Sequence, residues 1–102
     1  MTLEEKFQKL IKKWETETTV ISNVHEIYGN KHYQEIIKLG KDVVPLIFEE
    51  MRKKRYNFWF EALRQILGEG PEIPEKSRGR VVEMTDIWLK YAEENNLVKN
   101  NK

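Results

Sequence analysis

The sequence predicts an all-α domain of about five helices. Apolar residues recur three and four positions apart along most of the chain, the signature of one helix face. Glycine, proline and asparagine punctuate those runs, and no period-two alternation of the kind strands require is present. Charged residues make up 34% of the chain, above the usual level of about 25%. Many are Glu and Lys, which favour helix over strand.

The first helix starts at Thr2, with Glu5 three residues later in the capping-box pattern. Leu3, Phe7, Leu10, Ile11 and Trp14 fall on one face, and Lys6, Lys9, Lys12 and Lys13 fall elsewhere. The threonines at 16, 18 and 19 weaken its end. Val20, Ile21, Val24 and Ile27 imply a packed segment before a Tyr28-Gly29-Asn30 turn. Asn30 then caps a second helix carrying Tyr33, Ile36, Ile37 and Leu39, which Gly40 ends. A third helix opens at Asp42 with Pro45 in its first turn, buries Val44, Ile47, Phe48 and Met51, and ends in the cations Arg52 to Arg55. Asn57 is the expected cap of a fourth helix, whose apolar side is Phe58, Trp59, Ala62, Leu63, Ile66 and Leu67. Gly70, Pro71 and Pro74 mark an irregular connection. The last helix runs from Ser77 or Arg78 to the Asn95-Asn96 pair, with Val81, Met84, Trp88, Tyr91 and Ala92 at helical spacing.

With 102 residues the chain is read as one domain over 1–98 and a tail over 99–102. It lacks cysteine, so disulfides, thiolate nucleophiles and Cys-based zinc sites are excluded. Met1 to Lys6 is too charged for a signal peptide, and no apolar run approaches the roughly 20 residues that span a bilayer. A cytoplasmic location without a membrane partner is the expectation.

Leu39-Gly40-Lys41-Asp42-Val43-Val44-Pro45-Leu46-Ile47, followed by Phe60-Glu61-Ala62-Leu63-Arg64-Gln65-Ile66-Leu67-Gly68, resembles one HEAT repeat. The resemblance implies antiparallel helical hairpins, with the first and last helices acting as caps and Trp14 and Trp88 facing inward. Trp14-Glu15, Glu17-Thr18, Ser22, Tyr33 to Ile37, Gly40, Val44-Pro45 and Trp59 to Leu63 are together similar to a group of small bacterial and phage-type proteins. Size and style there imply an antitoxin-like or accessory subunit of a larger enzyme.

The side chains that could carry chemistry are few. His25 and His32 lie seven residues apart across a turn, which is no helical metal-ligand pair, so no metal or other cofactor is expected. Glu15, Glu17, Thr18 and Ser22 could do acid–base work, but read more simply as partners for backbone groups at a helix end. No nucleophile triad, P-loop or dinucleotide loop is present, and no catalytic residue is assigned.

Phe58, Trp59 and Phe60 are the most informative run, because consecutive helical residues differ by about 100° and cannot all face one core. Either they anchor one protein partner together with Tyr56, or a thin domain buries them against different neighbours. Arg52, Lys53 and Arg55, with Arg78 and Arg80, would contact phosphates if the two segments converge. A net charge of only +1 argues against nucleic acid. The leading expectation is therefore a non-enzymatic protein-binding module, with nucleic-acid binding second.

Overall fold

The computed structural model describes residues 1–18, 23–55 and 57–97, apart from the side chain of Val24. The segments Leu3–Thr18 (α1), Val24–Gly29 (α2), Lys31–Lys38 (α3), Val44–Lys53 (α4), Phe60–Leu67 (α5) and Val81–Glu94 (α6) are helical, with short 3₁₀ turns at Gly40–Val43 and Glu75–Ser77. Among the described residues there is no strand. The all-α expectation holds, with α2 as an additional short helix where the sequence was hardest to read.

Local chemistry sets the boundaries. The Thr2–Glu5 capping box forms reciprocally: the Thr2 amide donates to Glu5 Oε1 at 2.9 Å and the Glu5 amide to Thr2 Oγ1 at 3.1 Å. Asn30 Oδ1 accepts from the His32 and Tyr33 amides and starts α3 as expected. Gly40 and Gly68 both take a left-handed backbone, at φ +80° and +75°. Asn96 ends α6 the same way at φ +56°. There the Leu97 amide reaches back to Ala92 O and the Asn96 amide to Glu93 O, the paired bonds of a Schellman stop.

Three boundaries depart from expectation. α6 begins at Val81 rather than at Ser77 or Arg78, because Ser77 lies in a 3₁₀ turn and Gly79 takes a left-handed backbone at φ +84°. α4 begins at Val44, because Asp42 lies in the preceding 3₁₀ turn. α5 begins at Phe60, and Asn57 does not cap it; its side-chain Nδ2 donates instead to Glu15 Oε2 at 2.8 Å. The cap comes from another helix. The buried Tyr33 hydroxyl accepts from the Ala62 amide at 2.9 Å and donates to Phe58 O at 2.9 Å. It thereby satisfies a first-turn amide that would otherwise lack a partner.

The close helix pairs are α1 with α3, α3 with α5, α2 with α3, and α4 with α6. The direct α4–α5 hairpin expected from their short link is not one of them. At the centre, the Trp59 ring meets Trp14 at 4.8 Å, Phe7 at 5.8 Å and Tyr33 at 5.8 Å. Trp14 and Trp88 both face inward, as expected. Trp88 forms a second focus, against Phe48 and Tyr91.

Candidate binding site

The aromatic run does not form a surface. Trp59 and Phe60 are core residues, 0% and 5% exposed, and Phe58 is half-buried against Tyr28. This corrects the expectation of an exposed aromatic anchor at Phe58, Trp59 and Phe60. Phe58 and Trp59 precede α5, which begins at Phe60, so the 100° rule for consecutive helical residues does not apply across 58–60. The three rings instead enter the interior at a bend. Tyr56 lies outside the described residues.

Arg52, Arg55 and Arg80 each meet a carboxylate of α6, and Lys53 meets one within α4. Arg55 grips Asp86 with its fork, Nε donating at 3.0 Å and Nη2 at 2.6 Å to Oδ1. Arg52 faces Glu93 at 3.7 Å, Lys53 faces Glu50 at 3.7 Å and Arg80 faces Glu83 at 3.0 Å. Asp86, Glu83 and Glu93 all belong to α6, so a row of carboxylates meets the row of cations. Of the five arginines in the chain, only Arg64 and Arg78 have no carboxylate partner among the described residues.

The acidic cluster after α1 serves the fold. Glu15 holds Lys54 at 3.2 Å and Asn57, tying α1 to the α4–α5 connection. Glu17 accepts from Asn30 Nδ2 at 2.9 Å and lies 3.0 Å from His32 Nε2, tying α1 to the start of α3. Those bonds hold the Glu17 carboxyl below the ordinary glutamate value, the Asn30 contact contributing most. Thr18 donates back to Trp14 O at 2.7 Å. Ser22 lies outside the described residues. His25 is exposed; among the described residues no three His, Asp or Glu side chains converge as a metal site would need.

Two hollows remain. One runs along α1 and has a volume of about 920 Å³. Four of its polar side chains pair with one another, Gln8 with Glu50 at 3.0 Å and Glu15 with Lys54 at 3.2 Å. The other, about 890 Å³, is framed by α5, the Gly70–Pro74 connection and α6, and contains both unpaired arginines. Pro71, Ile73, Pro74 and Met84 form its apolar wall.

The frame of this second hollow is held by Trp88. A Cβ on Gly70 would lie 2.6 Å from Trp88 Cη2, so only glycine lets the connection rest on the indole. The Arg64 guanidinium stacks over the same ring at 5.5 Å and donates to Pro71 O at 3.2 Å. The sequence flagged Gly70, Pro71 and Pro74 as irregular but assigned them no role. Arg64, Ile73 and Met84 were missed, because a hollow between three elements has no local pattern.

No family model matches the chain, and no curated protein or solved structure matches it significantly. Among the described residues no helix is long and apolar enough to cross a membrane.

Proposed function

We propose that the chain is a non-enzymatic protein-binding module, an accessory subunit that holds one partner in the hollow between α5, the Gly70–Pro74 connection and α6. The observation that carries this reading is that the hollow sets an apolar wall beside charged side chains on a connection braced by Trp88. Its apolar wall is fixed by the Gly70–Trp88 contact and the Arg64–Pro71 hydrogen bond. A rigid concave surface loses little conformational entropy on binding. Nucleic acid is the weaker alternative, because carboxylates already occupy Arg52, Lys53, Arg55 and Arg80.

The test is affinity capture of the tagged full chain, alongside a Pro74→Arg variant. Pro74 is exposed, so the new side chain obstructs the hollow without entering the core. Recovery of one dominant protein by the parent and its loss with the variant is the expected result. Equal recovery by both overturns the assignment of the surface. A Trp59→Ala variant would be uninformative here, because emptying that buried site costs roughly 3–5 kcal/mol.

A further inference from the structure

We infer that the hollow recognises an acidic peptide segment, a carboxylate side chain beside an apolar one, with Arg64 and Arg78 binding the carboxylate and Pro71, Ile73, Pro74 and Met84 its apolar neighbour. The inference rests on the protein-binding reading and names the chemistry of the partner.

The arginine pairing carries it. Three of the five arginines have carboxylate partners within the chain, and the two that do not line the same hollow. A guanidinium presents five N–H donors in a planar fork whose best partner is a carboxylate or phosphate. Arg64 spends one donor on Pro71 O and lies over Trp88, which fixes the plane of the fork and leaves most of its donors free. Such prior orientation means less is lost when an anion arrives. Arg78 is exposed and makes no side-chain hydrogen bond or ion pair among the described residues, so it is available to close on the same group.

Glu72 sets the charge of the ligand. It lines the same hollow and pairs with neither arginine. Two cations against one carboxylate leave a single net positive charge. That balance suits one carboxylate and disfavours a phosphate dianion or a nucleic-acid strand, which Glu72 would repel. The apolar wall adds the second requirement, since a fully hydrated acidic run would leave it uncovered.

The experiment is an amide NMR titration of the full chain with three probes: a capped leucine–glutamate peptide, its leucine–glutamine counterpart, and inorganic phosphate. The expected result is shift changes centred on residues 64–84, with the glutamate peptide binding about tenfold or more tightly than either other probe. Arg78→Gln should weaken the glutamate peptide about tenfold and leave the glutamine peptide unchanged. Arg64→Lys, which keeps the charge but loses the planar fork, should weaken it as well, with circular dichroism confirming an intact fold. Equal affinity for the two peptides, no shift at these residues up to about 10 mM probe, or tighter binding of phosphate would each overturn the inference. If the peptides fail while capture of a partner still depends on Pro74, the chemistry is wrong and the binding module stands; if capture fails too, both fall.

Discussion

Replacing Tyr33 by Phe removes one oxygen and tests how α5 is held. The ring is retained, and with it the contacts to Trp14 at 5.0 Å, Tyr28 at 5.5 Å and Trp59 at 5.8 Å. What is lost are two hydrogen bonds at 2.9 Å, one from the Ala62 amide and one to Phe58 O. Both backbone groups lie at the start of an eight-residue helix that has no side-chain cap of its own. Stranding a buried backbone group costs about 1–3 kcal/mol, so the pair should cost roughly 2–4 kcal/mol. For a domain whose whole stability is about 5–15 kcal/mol this is a large fraction. It corresponds to a fall in Tm of at least about 8 °C. Asn57→Ala is the control, because its side-chain amide contacts Glu15 and not the helix; it should cost under about 1 kcal/mol. Burial pushes the Tyr33 phenol well above its ordinary value of 10, so the donated bond should persist in mild alkali. Urea unfolding followed by circular dichroism measures both variants. A loss below about 0.5 kcal/mol for Tyr33→Phe at unchanged m-value would refute capping from α3.

Gly70→Ala should destabilise by about 1–3 kcal/mol, since the new methyl meets the Trp88 ring at 2.6 Å, and should also weaken peptide binding by displacing the connection; calorimetry and NMR titration check the two effects. Arg55→Ala removes a forked ion pair whose side chains are about half exposed, so its cost should stay within about 1 kcal/mol and shrink as salt rises in parallel unfolding curves. Stability should fall in acid. The Glu5, Glu17 and Glu83 carboxyls are held below the ordinary value of 4.5, chiefly by hydrogen bonds from the Thr2 amide, Asn30 and Arg80 respectively. A depressed carboxyl contributes stability that is present above 4.5 and disappears as pH falls through its folded value. The triple variant with Gln at these three positions should show a shallower loss of urea midpoint between pH 5 and 3; an unchanged slope would remove them as its source.

The helices were legible because their causes are local. The Thr2–Glu5 box, the Asn30 cap and the glycines at 40 and 68 each act within a few residues, and the apolar spacing of α1 and α6 needs no tertiary information. The α5 cap was not legible, because Asn57 looks competent alone and Tyr33 supplies the bond from 29 residues away. The same distance hid the fate of the basic run. Glu49 and Glu50 are its neighbours in sequence, and Glu50 does meet Lys53, yet Arg52 and Arg55 find Glu93 and Asp86 on α6, more than 30 residues away.

The aromatic run illustrates why surface exposure is harder to read than burial. Three adjacent rings exceed what one helix face can hide, but at a bend the backbone turns each ring into a different part of the interior. Trp59 then becomes the centre of the core, and burying the rings at this position leaves recognition to be built elsewhere. The hollow beside Trp88 meets that need with an ordinary helical arginine, an exposed arginine and a proline-flanked connection, none of them conspicuous in sequence. Their common feature is negative and appears only in three dimensions: the chain pairs Arg52, Arg55 and Arg80 internally and leaves Arg64 and Arg78 unpaired at one place. An unpaired guanidinium on a flexible surface means little, since water solvates it well. One that rests over an indole and donates to a carbonyl, in the same hollow as a second, has already lost part of the freedom that binding would otherwise remove.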